Sequence, residues 1–281
     1  MNIGLFLLIK PFASVEDQLI AAKEMGFKCA DITDTNAGGS MLGTAGFSPT
    51  LSLDDNPFDI KRLFDKYDMN ISTVCAHANL IDPSKPSRYG TAEIMKAIKI
   101  AAAIGVKDVI TTENEPSTEW GEKLDFDQRT FVIAEKLYEP VKMAEDYGVR
   151  LLLENHGPIT DTIEGLSRIF ELLDDAPALG LNLDTGNTWL GGTDPVEVAK
   201  KFKDKIHHIH WKDLGEDWLD KRGKQYGAGF STIAMGEGII DIKGVCDVLR
   251  DKGIENSTLE IIGEEDMLKK SVEFLKSCGM L

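Results

Sequence analysis

Apolar residues along this chain follow two alternating rhythms. Short runs of β-formers lie at about 2–9, 27–32, 70–76, 107–112, 149–154, 178–184, 205–210 and 256–262. Between them, apolar positions recur at the three-to-four-residue spacing of an amphipathic helix, near 14–26, 58–68, 90–104, 127–147, 162–174, 194–204, 241–252 and 266–277. Local punctuation agrees. Ser14 precedes a helical stretch with Asp17 three residues on, and Asp194-Pro195 reads as an N-cap followed by proline at the first helical position. Gly26, Gly105 and Gly148 stand just past helical patterns. Eight strand–helix pairs predict a closed parallel barrel or a large doubly wound sheet. No Gly-x-Gly-x-x-Gly follows the first strand, so the dinucleotide-binding sheet is disfavoured. The reading is one (β/α)8 TIM barrel, a single domain over residues 1–281.

Four of the apolar runs support the barrel for a second reason. Leu151-Leu152-Leu153-Glu154, Leu181-Asn182-Leu183-Asp184, Ile206-His207-His208-Ile209-His210 and Ser257-Thr258-Leu259-Glu260 each end in a metal-type ligand. A lone charge closing a buried run is costly. Four such ends, delivered to the C-terminal face of one barrel, would meet at a point. Strand side chains alternate, so Glu154 shares a face with His156, and His210 with His208, while His207 and Trp211 point to the helical layer. His210, at the strand's end, is the expected ligand, and His208 a deeper hydrogen-bonded barrel residue. Glu154, Asp184, His210 and Glu260 form a hard, oxygen-rich set for one divalent ion. Mn²⁺ is expected first, with Mg²⁺, Co²⁺ or Zn²⁺ as alternatives, rather than a cysteine-based structural zinc.

Composition narrows the partners. The chain is 42% hydrophobic and 28% charged, as in ordinary soluble globular proteins. No apolar stretch approaches the roughly 20 residues of a membrane span, and Met1 to Leu5 reads as a first strand rather than a signal peptide. Cys29, Cys75, Cys246 and Cys278 lack metal or redox spacing, which points to a reduced, cytoplasmic protein. A net charge of −16 argues against nucleic acid and membrane surfaces as partners. Segments 36–57 and 211–240 are long and glycine-containing, and are expected to be lids or binding loops on the catalytic face, or else poorly ordered insertions.

The motifs Leu-Leu-Leu-Glu-Asn-His-Gly (151–157), Leu-Asn-Leu-Asp-Thr-Gly-Asn (181–187), His-His-Ile-His-Trp-Lys-Asp (207–213) and Gly-Glu-Gly-Ile-Ile-Asp (236–241), with Thr-Leu-Glu (258–260), resemble the xylose isomerase-like TIM barrel superfamily, the sugar phosphate isomerase/epimerase group. The resemblance extends to Asn-Ile-Gly-Leu (2–5) and Ala-Lys-Glu-Met-Gly-Phe (22–27), so it covers essentially the whole chain. It implies a metal held by Glu154, Asp184, His210 and Glu260, with both glutamates also transferring protons. It therefore implies an isomerase or epimerase that acts on a keto-sugar or related polyol through a metal-stabilised enediolate.

Three positions depart from the ketose 3-epimerase pattern of that superfamily. Asn187 stands three residues after the metal Asp where a His is usual, Glu216 six after the metal His where an Arg is usual, and Thr160 six after the first metal Glu where a second Glu is usual. Trp211-Lys212-Asp213 resembles instead the branches that contain inosose dehydratase-like lyases and the subunits that cleave 3-keto-glycosides. A lyase is thus the alternative, with His156 or Lys212 as the additional acid or base. The expected catalytic set is Glu154, Glu260 and His156, and the expected substrate contacts are His77, Asn187 and Lys212.

Asp213 could pair with Lys212. Glu113 and Glu115 read as solvated loop charges, and one or two of Trp120, Trp189, Trp211 and Trp218 as pocket walls. The absence of a phosphate-type glycine loop favours an unphosphorylated carbohydrate. A homo-oligomer is expected, with a small second subunit if the protein is a lyase. Five histidines and the acidic charge do not favour the superfamily's three-metal apurinic endonuclease activity. A non-catalytic metal-binding barrel is the third option.

Overall fold

The computed structural model describes residues 1–7, 9–10, 13–32, 51–82, 89–228, 230–231 and 233–281, with Tyr89 described by its backbone alone. Eight parallel strands close into a barrel in chain order. They are β1 Asn2–Phe6, β2 Cys29–Ile32, β3 Asn70–Cys75, β4 Asp108–Thr112, β5 Arg150–Glu154, β6 Leu179–Asp184, β7 Ile206–Trp211 and β8 Asn256–Leu259. β8 returns to β1 through the pairs from Asn2–Asn256 to Leu5–Leu259, which leaves no sheet edge. Each strand falls in one of the eight apolar runs, β7 alone running one residue further to Trp211, with helices between them, and the fold is a TIM barrel.

The helices form where their caps are. Ser14 accepts from the Asp17 amide, and Asp194 accepts from Val196 N at the start of Pro195–Lys201. The helix Phe126–Tyr147 opens on a capping box between Asp125 and Gln128 and stops at Gly148, whose φ of 68° a side chain would resist. Leu151, Leu153, Leu181 and Leu183 are fully buried, because helices cover the outer face of a parallel barrel. A smaller inner cluster of Phe6, Cys75, Ile110 and Leu152 fills the barrel, with Phe230 and Ile262 packed on it. All four cysteines are buried, and none is in a disulfide among the described residues. Among the described residues, no helix is long and apolar enough to cross a membrane.

Two features differ from the sequence expectation. A buried helix, Thr185–Leu190, begins directly after β6. Its Thr, Gly and Asn are weak helix formers, and it depends on the Asp184 carboxylate, which accepts from Asn187 N at 2.7 Å. A second short helix, Glu119–Lys123, follows β4, capped by Thr118.

The segment after β7 is tied down rather than loose. Tyr226 N donates to Glu115 Oε1 at 2.8 Å, Ala228 N donates to Asn187 Oδ1 at 2.9 Å, and Ser231 pairs with Ile261 beyond β8. It therefore spans the C-terminal face as a binding loop does. Most of the other long segment, residues 36–50, lies outside the described residues.

Candidate metal centre

Four strand ends bring the expected ligands together. One donor atom each from Glu154, Asp184, His210 and Glu260 lies within 4.8 Å of the other three, and all four residues are buried. Register explains part of this. Asp184 on β6 stands beside His210 on β7, and His210 beside Thr258 on β8. His210 Nδ1 is 3.1 Å from Glu154 Oε2 and 3.6 Å from Glu260 Oε1.

The donor set fits a hard divalent cation. Three carboxylates share one buried point, which is costly without a compensating charge. Burial pushes Asp184 up to about 7 against the pull of Lys212, with Glu260 and Glu154 adding to the push. Glu154 moves the other way. Against burial, His210 and then His77 and Lys212 hold it below the ordinary carboxylate range. His210 Nδ1, Asp184 Oδ2 and Glu260 Oε2 are buried and take no hydrogen bond among the described residues. Lys212 Nζ is the charged partner of the two carboxylate oxygens. An open imidazole nitrogen facing clustered carboxylates is what an oxygen-rich ion site presents.

The expected substrate-side residues surround this cluster. Lys212 is buried, 2.8 Å from Asp184 Oδ2 and 2.5 Å from Glu260 Oε2, and these carboxylates raise its ammonium pKa despite burial. Asn187 donates from Nδ2 to Glu154 Oε1 at 3.4 Å, and its Oδ1 accepts from Lys212 Nζ and Ala228 N. His77 is half-buried and acts electrostatically on both Glu154 and His156. His156 is half-buried too. Its ring lies against Gly227, burial keeps it neutral, and its Nδ1 has no hydrogen-bond partner among the described residues.

Several expectations need correction. Glu113 is no solvated loop charge but fully buried, and its Oε2 accepts from Ile159 N and Thr160 N. The turn 157–162 folds back onto the end of β4 and encloses it, whereas Glu115 stays exposed. Asp213 does not pair with Lys212. It accepts from the amides of Leu214, Gly236, Gly238 and Ile240 and so shapes the loop after β7.

The aromatic rings packed at the cluster are phenylalanines. Phe6 meets His210 edge-on at 6.1 Å and Phe230 at 5.2 Å. Trp211 is buried on the outer face of its strand, Trp120 is exposed, and Trp189 and Trp218 pack under Arg222 and Lys221. Of the departures, Thr160 accepts from His156 N through Oγ1 and Glu216 is exposed, while Asn187 alone reaches the ligands.

His208 behaves as expected, bonded through Nε2 to Thr258 Oγ1 at 3.0 Å, and His207 bonds outward to Arg150. Two inner residues escaped the sequence reading. Asn182 donates to Glu154 Oε2 at 3.0 Å, and Asp31 Oδ2 lies 3.1 Å from His210 Nε2. Asp31 carried a usable signal, since Cys29-Ala30-Asp31-Ile32 is another apolar run holding one charge.

Known proteins show the same outline. The inosose dehydratase of Clostridium botulinum (strain Alaska E43 / Type E3) is 25% identical over 244 residues, 81% of each chain. A crystal structure of a D-tagatose 3-epimerase-like protein superposes with a TM-score of 0.74 at 23% identity, over 99% of this chain and 97% of the other. The IOLI protein, solved with a binding zinc atom, superposes with a TM-score of 0.72 at 16% identity, over 99% and 98%. At those identities the two structures speak for the fold. The family model for the xylose isomerase-like TIM barrel matches residues 19–278, and this chain belongs to that family.

Proposed function

We propose that this protein is a divalent-metal-dependent enzyme that moves a proton beside the carbonyl of a keto-sugar or related polyol, as an isomerase or epimerase. The carrying observation is the placement of Glu154 and Glu260 about His210 Nδ1, at 3.1 and 3.6 Å, from strands three apart in the barrel. An ion held by Glu154, Asp184, His210 and Glu260, Mn²⁺ being the first choice, would polarise the carbonyl and acidify the neighbouring C–H. One glutamate takes that proton and the other returns it. Return to the opposite face of the same carbon epimerises the substrate, and return to the adjacent carbon isomerises it. Asn182 and Asn187 orient the Glu154 carboxylate. His77, Asn187 and Lys212 offer a polar wall for hydroxyls, and Phe6 and Phe230 an apolar one for C–H faces.

Lys212 supports a second reading, a dehydrating lyase. Its Nζ sits beside Glu260, and with His156 it supplies a proton donor beyond the two glutamates. Elimination removes the acidic C–H proton, breaks the C–O bond two carbons from the carbonyl and needs a proton on the departing hydroxyl, which leaves as water. The likeness to an inosose dehydratase over most of the chain accords with this reading.

The test is a panel of keto-sugars and cyclitols with Mn²⁺-loaded protein in D₂O, read by NMR. Deuterium should enter beside the carbonyl of at least one substrate. Glu260→Gln should slow that exchange by at least roughly 10²-fold, the lower end for a general acid–base group. A protein that holds one ion yet exchanges none of the panel is a binding barrel and not this enzyme.

A further inference from the structure

Beneath the ligand cluster lies a buried polar row that the proposed proton transfer does not use. Asp31 on β2, His208 and His210 on β7 and Thr258 on β8 are all essentially inaccessible to solvent. Asp31 Oδ2 is 3.1 Å from His210 Nε2 and 3.9 Å from His208 Nε2. His208 Nε2 lies 3.0 Å from Thr258 Oγ1, and the Thr258 hydroxyl helps hold the Asp31 carboxyl below its ordinary value.

Donor and acceptor rules give this row one sense. A carboxylate only accepts, so every neighbour must donate to it. His208 Nε2–H then donates to Thr258 Oγ1, the Thr258 hydroxyl donates to Asp31, and His210 donates to Asp31 from Nε2. A neutral His210 that donates from Nε2 carries its lone pair on Nδ1. Nδ1 is the atom that faces Glu154 and Glu260 and has no hydrogen-bond partner among the described residues.

We propose that Asp31 is the positioning residue of the metal centre, which locks His210 in the Nε2–H tautomer with Nδ1 aimed at the ion while itself remaining off the metal. The proposal rests on the metal-centre reading. It also decides between two uses of one cluster, because Asp31, His208 and His210 lie close enough together to resemble a second ion site. The hydrogen bonds argue for a positioning row. Nε2 of each histidine already has an oxygen partner, and the ordinary partner of a metal-bound imidazole's other nitrogen is a carboxylate.

The test measures Zn²⁺ and Mn²⁺ binding by calorimetry on the full chain, beside ¹⁵N-histidine spectra of the Zn²⁺-loaded protein. Wild type should bind one ion, and the His210 signals should show a proton on Nε2 and none on Nδ1. Asp31→Asn keeps the shape, so it should fold as wild type does. It should still bind one ion, with affinity weakened by about 10- to 100-fold, the usual effect of removing such a partner. Its Zn²⁺-loaded spectrum should show a shifted His210 Nε2 signal, since an amide oxygen replaces the carboxylate that holds that proton. Thr258→Val, which deletes a donor to Asp31, should weaken the ion in the same direction but less.

Unchanged affinity and an unchanged Nε2 signal in Asp31→Asn would overturn the proposal. So would two ions in wild type that become one in the variant, which makes Asp31 a ligand. Absence of any bound ion in wild type sinks the metal-centre reading itself, a result distinct from either.

Discussion

Lys212 Nζ lies 2.8 Å from Asp184 Oδ2, and Glu260 places Oε2 against the same ammonium. All three residues are buried, so the lysine is a built-in countercharge for two of the three ligand carboxylates. Lys212→Met keeps the aliphatic stem and removes that charge. Without metal at pH 8, the variant should lose about 3–5 kcal/mol of stability, the usual cost of breaking a buried pair. The loss should shrink as pH falls, because without Lys212 burial pushes Asp184 higher still and the carboxyl takes a proton instead. Added Mn²⁺ should restore much of the difference. Urea unfolding with and without a chelator measures it, and an equal loss under all conditions would contradict the countercharge role.

Glu113 makes a pH prediction. Burial pushes its carboxyl up to about 8, against the amides of Thr160 and Ile159. Between its ordinary value of 4.5 and about 8, the folded chain holds a proton that the unfolded chain releases. Stability from this group is therefore complete below the lower value and is lost as pH rises through the upper one. Glu113→Gln can still accept both amides on one oxygen and cannot titrate. Measured by denaturation at pH 5, 6.5 and 8, it should gain on wild type by up to roughly 1.4 kcal/mol per pH unit. Parallel pH profiles would refute the assignment.

The barrel could be read from the sequence because each strand is an apolar run and several helices have their own caps, as at Ser14, Asp194 and Gly148. The four candidate ligands could be picked out because a charge that ends an apolar run has few cheap explanations, and the fold brings them together. Contacts set by loops could not. Glu113 looked solvated because its enclosure comes from the turn 157–162, which is distant in sequence. Asp213 looked like the partner of its neighbour Lys212, yet just past β7 the two side chains go to different places, one to the candidate ligands and one to the amides of 236–240. Asp31 is a lone charge in an apolar run, but its partner, His210, is set by how β2, β7 and β8 come together and not by the run itself.

Gly227 is expected to be intolerant of any side chain. Its φ is +75°, and a Cβ there would stand 2.6 Å from His156 Cε1 and 2.7 Å from Nε2. Gly227→Ala should cost about 1–3 kcal/mol of backbone strain and displace the His156 ring. The ligand strands are untouched, so ion affinity should stay within about threefold, roughly 0.6 kcal/mol or less. Calorimetry beside kcat/KM separates the two effects. A parallel collapse of ion affinity and turnover would show that the loop supports the metal centre and not His156 alone.

His156 divides the two proposed reactions. It follows Glu154 by two residues and interacts electrostatically with it, and its neutral ring has an open Nδ1 among the described residues. Isomerisation and epimerisation need only Glu154 and Glu260 for the proton, so His156→Ala should chiefly raise KM there. Elimination needs a further donor for the departing oxygen, and His156 with Lys212 is placed to be one. If the protein is a lyase, His156→Ala should lose dehydration by roughly 10²-fold or more. Exchange of the acidic C–H with D₂O should survive, because the carboxylates that remove that proton are intact. Dehydration followed by absorbance and exchange followed by NMR on the same samples give the comparison. Loss of both together would make His156 a base for the first step or a structural support of Glu154, and would remove it as the leaving-group acid.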